Sequence, residues 1–241
     1  MRIRRAGLGY PHRDTDDTDE RRVGSGDTVI MAEAEPLNRS RCQTQLAECP
    51  AMDTSEFWTI IEAARSAGTA EKPFIEALVD ELATHAKYDI LRYQERFDEV
   101  HEAVYRWDVW AAAYLIGGGC SDDSFIDFRA GLIALGRDWY EKAAADPDSL
   151  AGHPAVVAAA EVHRDEALFY EEVNYAASEA FKRVTGDQED FYEAWDEYRA
   201  SQDSSEEDSE DMGEDFDFDD RDEMRRRLPR LAALYLRDTA H

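Results

Sequence analysis

From Met52 onward, apolar residues recur with a helical period. Phe57, Trp58, Ile60, Ile61 and Ala64 fall on one stripe, which Gly68 closes. Asp53-Thr54-Ser55-Glu56 ahead of it reads as a helix start, because an Asp or Thr cap pairs with a Glu near the third helical position. Pro73 suits the first turn of a second helix, which carries Phe74, Ile75, Leu78, Val79 and Leu82. A third, from about Tyr88 to Arg106, carries Ile90, Leu91, Phe97, Val100 and Val104. Residues 107–116 are almost wholly apolar, which predicts a buried segment, and Gly117-Gly118-Gly119 breaks it. Ser121 or Asp122 caps the next helix, which carries Phe125, Ile126, Phe128, Leu132, Ile133 and Leu135 and bends at Gly136 before Trp139 and Tyr140. Asp146-Pro147-Asp148 is a turn. The pattern then predicts one long helix from about Pro154 to Val184, ending near Gly186, and a shorter one from Phe191 to Tyr198 that adds Trp195. No stretch alternates like a strand flanked by turns, and no heptad persists. The expected class is all-α, an irregular helical bundle of about six to eight helices.

Both ends of the chain depart from this pattern. Residues 1–51, rich in Arg, Asp, Gly and Thr, show no apolar period and read as a disordered leader. Met31 and Met52 are internal methionines, and a true translation start at one of them is the expectation that the helix signal at Asp53 suggests. The core domain is expected over 52–200. Residues 201–223 carry thirteen acids and one base and read as a disordered acidic linker. Residues 224–241 invert the charge: Arg225, Arg226, Arg227 and Arg230 alternate with Leu228, Leu231, Leu234, Tyr235 and Leu236. Pro229 argues against one long helix there. This basic amphipathic tail is expected to dock on the acidic core it is tethered to, or else on another molecule.

The net charge is −28, and residues 52–200 alone carry 32 acids against 13 bases. Such a surface repels phosphate backbones and anionic lipid, which disfavours nucleic acid and membranes as partners, and it attracts a basic protein or metal cations. High solubility is the plainer consequence of the same charge. Of three cysteines, Cys42 and Cys49 lie in the leader and Cys120 in the core, which suits a reducing, cytoplasmic setting. Arg4-Arg5 has no apolar stretch behind it, so it is no export signal, and no run approaches the length of a membrane span.

The segment from Trp107 to Phe125, with Asp108, Trp110, Gly117-Gly118-Gly119-Cys120-Ser121-Asp122-Asp123, followed by Phe128-Arg129, is distinctive. It resembles a bacterial family known as domain of unknown function 4240, common in actinobacteria. Phe57-Trp58, Asp146-Pro147-Asp148-Ser149-Leu150 and Arg227-Leu228-Pro229-Arg230-Leu231 also look like that family. The resemblance spans roughly Met52 to Ala200 plus the tail motif. It implies a small helical domain and names no catalytic residue.

The glycine–cysteine–aspartate turn is the first candidate for chemistry. Glycines let the backbone approach a ligand, and the next helix begins at once with its free N–H groups facing the turn. That helix end lowers a thiol pKa at Cys120, while Asp122 and Asp123 oppose it. Arg129 is placed to pair with Asp108 or Asp122. A pocket here would be lined by Trp107, Trp110, Asp122, Asp123 and Arg129. The structural alternative is a tight helix corner, with Cys120 filling a small space and no histidine near enough in sequence to act as its base. Carboxylate–histidine pairs suggestive of metal occur at Asp98/His101, Glu81/His85 and His163/Glu166, but Glu-x-x-His, the helical di-iron signature, is absent and chance pairs are expected among 55 acids. No metal or cofactor is therefore expected. Trp107 and Trp110 share a face and suit core packing or a stacking platform, with Asp108 between them as an acceptor. No Ser–His–Asp signature, phosphate loop, dinucleotide fingerprint or zinc spacing is present. Two function classes follow: an acidic interaction protein that binds a protein partner, and a small-molecule or enzymatic domain centred on Gly117–Asp123.

Overall fold

The computed structural model describes residues 51–162, 167–186, 188–202 and 211–236, all within one contact unit. Residues 1–50 of the expected leader, the His163/Glu166 pair, residues 203–210 of the acidic linker and residues 237–241 of the tail lie outside them. Among the described residues there are eleven α-helices, two 3-10 segments and no strand, so the class is all-α.

Helix α1 (Thr54–Ala67) begins where Asp53 accepts from the Glu56 N–H at 2.8 Å, and it buries Phe57, Trp58, Ile60, Ile61 and Ala64. It packs chiefly on α2 (Phe74–Leu82) and also meets α3 (Lys87–Glu102), while α2 and α3 both pack on α8 (Ala176–Thr185). Helix α4 (Trp107–Gly117) is the apolar segment, with Val109 to Ala113, Leu115 and Ile116 buried. It turns through Gly118 and Gly119 into α5 (Asp122–Ala134). Both glycines have positive φ, at +63° and +134°, which side chains with a Cβ rarely adopt. Helix α6 (Arg137–Ala145) follows a break at Gly136, and the first 3-10 segment (Pro147–Gly152) leads to α7 (Pro154–Glu161). The second 3-10 segment (Glu171–Tyr175) packs on α5 and runs directly into α8. Helix α9 (Phe191–Ser201), capped by Asp190, lies after Gly186. The tail forms α10 (Arg221–Arg227) and α11 (Pro229–Tyr235), with Pro229 in the first turn of the second helix.

Two departures from the sequence pattern have identifiable causes. The long helix expected from Pro154 to Val184 is broken. α7 ends at Glu161, Leu168 adopts φ +71°, and Phe169 and Tyr170 turn onto Phe128 and Phe74. The backbone carbonyl of Leu168 fits against Gly131, where any Cβ would lie 1.7 Å from its oxygen. Tertiary packing overrides the helical propensity of the alanine-rich stretch. This break, together with those at Gly136 and Pro229, gives more and shorter helices than the six to eight expected.

The acidic linker is the second departure. Residues 211–223 are ordered rather than disordered. The Trp107 N–H donates to the Met212 carbonyl at 3.0 Å, and the Phe218 ring lies against Trp107, Trp110 and Tyr114. Arg227 stacks on Phe216 and pairs with Glu214 at 2.9 Å. Aromatic anchors at alternate positions and arginines from α10 offset the repulsion that the acid count alone predicts.

Candidate functional site

The Gly117–Asp123 turn is built from α4 and α5. Ser121 caps α5 by accepting from the Ser124 N–H at 3.2 Å, so Asp122 and Asp123 fall in its exposed first turn. Trp107 and Trp110 stack with centroids 5.4 Å apart, and Trp110 stacks in turn on Phe125 at 4.8 Å. The Trp110 indole N–H donates to the Cys120 carbonyl at 3.1 Å, which ties α4 to the turn. The Asp108 carboxylate accepts from the neighbouring Arg106, whose Nε and Nη2 donate to it at 3.0 and 2.8 Å.

Cys120 does not become a thiolate. Burial pushes its thiol up to about 12, with a further rise from Asp127 and only partial opposition from Trp110. Desolvation outweighs the helix N-terminus that the sequence reading relied on. The thiol donates to the Ser121 carbonyl at 3.5 Å.

Arg129 pairs with neither Asp108 nor Asp122. It is buried at 6% exposure, and its Nη1 donates to the His101 carbonyl at 3.1 Å while lying 3.6 Å from Glu102. Its guanidinium lies 4.6 Å from the Tyr105 ring centre and 5.1 Å from that of Phe125. The Tyr140 hydroxyl donates to the Val100 carbonyl at 2.6 Å. Arg129 and Tyr140 together satisfy carbonyls that the end of α3 leaves free. Burial lowers the Arg129 pKa to about 10, and burial together with Arg129 lowers that of His101 to about 3. His101 Nε2 lies 3.0 Å from the Ile126 carbonyl, so this histidine is a neutral packing group on Phe97. His85 lies 3.8 Å from Glu81. Among the described residues no three His, Cys, Asp or Glu side chains gather in a way that holds a metal ion.

The structure thus brings Trp107, Trp110 and Cys120 together, leaves Asp122 and Asp123 on the surface, and sends Asp108 and Arg129 to other partners. A shallow cavity of about 330 Å³ lies at the opposite end of α5, lined by Arg65, Gly68, Thr69, Phe74 and Ala134.

Two features emerge that the sequence reading did not assemble. The first is a clip. Asp148, 4% exposed on the first 3-10 segment, accepts from the Arg230 N–H at 3.0 Å, the Arg230 Nε at 2.9 Å and the Leu231 N–H at 2.8 Å. It caps α11 from 82 residues away in the chain, and Asp146 adds a second contact to Arg230. The second is an acidic corner where α5 meets the second 3-10 segment. Asp123 and Asp127 sit one helical turn apart, Glu171 and Glu172 follow Tyr170, and the Tyr170 N–H donates to the Asp127 carbonyl at 3.1 Å. Burial and the charges of Glu171, Asp123 and Glu172 push the Asp127 carboxyl up to about 6. None of the four has an ion pair among the described residues.

No helix among the described residues is long and apolar enough to cross a membrane. No curated protein and no solved structure matches the chain. The family model described as protein of unknown function (DUF4240) matches residues 52–183, from the start of α1 into α8 and including the Trp107–Phe125 segment and the Asp146–Leu150 half of the clip. That match spans more than half of the chain, which therefore belongs to the DUF4240 family.

Proposed function

We propose that this chain is an acidic interaction protein that binds a basic protein partner in the cytoplasm. The observation that carries the reading is how the charges are distributed. Most cations of the bundle are engaged internally, among them Lys72 and Arg183 on Asp80, Lys87 on Glu189, Arg92 on Asp89, Arg96 on Glu99, and Arg137 on Glu141. Arg225, Arg226, Arg227 and Arg230 of the tail are engaged likewise. Acids on α9 (Glu193, Asp196, Glu197) and at the α5 corner have no ion pair among the described residues and face solvent or one another. A surface of this kind raises the encounter rate with a positively charged protein and suppresses binding to polyanions. A ligand site at Gly117–Asp123 gains little from the same geometry, because Phe218 lies on the tryptophan pair and the Cys120 thiol stays protonated.

The test is affinity capture by the full chain from native cytosol at about 50 mM salt, beside an unrelated helical protein of equal net charge. Bound proteins are released by a step to about 500 mM, where exposed charge pairs are largely screened. Enrichment of a basic protein over the control, confirmed by titration of the purified pair, is the expected result. Capture of the same set by both proteins overturns the reading.

A further inference from the structure

The strap formed by residues 211–219 is held unlike the rest of the tail. Met224, Leu228 and Leu231, farther along, are buried, whereas no residue of the strap is: Met212, Phe216 and Phe218 are part-buried and the others exposed. Hydrogen bonds tie it to α4, from the Trp107 N–H to the Met212 carbonyl at 3.0 Å and from the Tyr114 hydroxyl to Asp219 at 2.5 Å. Gly213, between them, has φ +81° with open space around it. A segment that buries so little apolar surface opens locally while the helices behind it stay docked. Beneath it lies an aromatic cradle. The Phe218 ring centre is 6.1, 6.4 and 5.5 Å from those of Trp107, Trp110 and Tyr114. Trp110 gives its N–H to the Cys120 carbonyl, which leaves its ring to meet Phe218. The stack runs inward from Trp107 through Trp110 to Phe125, where the Arg129 guanidinium lies 5.1 Å from the ring centre. It therefore ends in a cation on its buried side and in Phe218 on its outer side. The strap repeats the chemistry: the Arg227 guanidinium lies 4.2 Å from the Phe216 ring centre and pairs with Glu214.

We propose that Phe218 is a displaceable cover and that, with the strap open, the cradle of Trp107, Trp110 and Tyr114 seats a lysine or arginine side chain of the basic partner, an assignment that rests on the interaction reading above. The faces of tryptophan and tyrosine rings carry the negative part of the ring quadrupole and attract a cation within about 6 Å of the ring centre. A cation at the place of the Phe218 ring has three such centres at that range at once. Phe218 lies two residues before Asp220, which caps α10, so its ring swings out while the tail helices remain in place. Charge decides the occupant. A free acidic segment resembling the strap would approach a chain of net charge −28 against repulsion, and the strap itself seats because it is tethered. A basic segment approaches with attraction. The strap carries Asp211, Glu214, Asp215, Asp217 and Asp219, so the surroundings of the cradle are negative whether it is closed or open.

The experiment titrates the full chain with a nonalysine peptide at about 50 mM salt. Wild type is compared with Phe218→Ala, which removes the cover, and with Phe218→Ala/Tyr114→Leu, which also removes one ring of the cradle. None of these substitutions changes the charge, and thermal melts establish that each variant is folded. Phe218→Ala is expected to bind about fivefold tighter than wild type, because the cover no longer competes. The double variant is expected to lose at least about twofold of that gain, the share of one ring. The indole N–H resonances of Trp107 and Trp110 should shift on titration of Phe218→Ala, while those of Trp58 and Trp195 stay in place. If all three proteins bind alike and the Trp107 and Trp110 signals stay still, the charge acts diffusely; the cradle assignment is then overturned and the interaction reading stands. If Phe218→Ala binds tighter but the double variant keeps the whole gain, the rings do not hold the cation and the assignment is overturned as well. Absence of binding by all three overturns the cradle assignment and counts against the interaction reading too.

Discussion

Replacing Asp148 by alanine tests the energetic logic of the fold. Asp148 is a buried carboxylate that receives two backbone N–H groups from the first turn of α11 and one guanidinium N–H from Arg230. Losing a helix cap costs about 1 kcal/mol, and leaving the buried Leu231 N–H and the part-buried Arg230 N–H without an acceptor adds about 1–2 more. The Arg230 side chain is 55% exposed, so its head returns to water at little cost, and its pairing with Asp148 contributes less than about 1 kcal/mol. Asp148→Ala should therefore destabilise by about 2–3 kcal/mol, whereas Arg230→Ala, which leaves both backbone contacts in place, should cost under about 1 kcal/mol.

The tail should nevertheless stay docked in the variant. Met224, Leu228 and Leu231 are 0%, 2% and 0% exposed, and each buried side chain of this kind contributes about 1.5–3 kcal/mol. Their sum exceeds the cost of losing the clip. Urea unfolding gives the stability difference, and hydrogen exchange across 224–235 reports whether the tail lifts. An Asp148→Ala loss below about 0.5 kcal/mol, or one equal to that of Arg230→Ala, would refute the claim that the backbone cap dominates the clip.

Three further outcomes are expected. Gly131→Ala should lower stability by about 1–3 kcal/mol because its methyl collides with the Leu168 carbonyl, although the same change at an open helix position gains about 1 kcal/mol; stabilisation on thermal melting would show that the contact gives way. Cys120, in a Cys42→Ser/Cys49→Ser background, should react with iodoacetamide at pH 7.5 at least about a hundredfold more slowly in the folded chain than in urea, since its thiol is held at about 12; equal rates would count against burial of the sulfur. Burial raises the Asp98 carboxyl to about 7, with Glu102 and Glu95 adding to the rise and Gln94 and Arg199 opposing it. The folded state then binds a proton that the unfolded state has lost between about pH 4 and 7, so stability falls as pH rises through that window. Asp98→Asn, which mimics the neutral acid, should gain about 1–2 kcal/mol at pH 8 and nothing measurable at pH 4, and a gain of equal size at both would reject the linkage.

Where a single helix had to bury one face, the sequence was informative. The stripe from Phe57 to Ala64 and the apolar run from Val109 to Ile116 are buried as their periods require, and the Asp53 cap follows from local geometry alone. Legibility fails where the outcome depends on a residue distant in the chain. The break after Glu161 is decided by a notch at Gly131 and by Phe128 and Phe74, which the local alanine-rich composition does not contain. Order in residues 211–223 hinges on Phe216 and Phe218, which were visible, meeting Arg227 and Trp107, whose positions were not. At the turn, the glycine conformations and a cap at Ser121 were readable. The partner of Arg129 was not, because the α3 carbonyls it caps come from a helix that ends 27 residues earlier.

These placements bear on where activity resides. Three of the four motifs that make the chain distinctive are used up in holding it together. Trp110 ties α4 to the Cys120 carbonyl, Arg129 closes the end of α3, and the Asp146–Leu150 and Arg227–Leu231 motifs meet each other in the clip. Each buries polar groups against partners within the molecule, which is what architecture demands and what a ligand site, with acceptors left open, does not show.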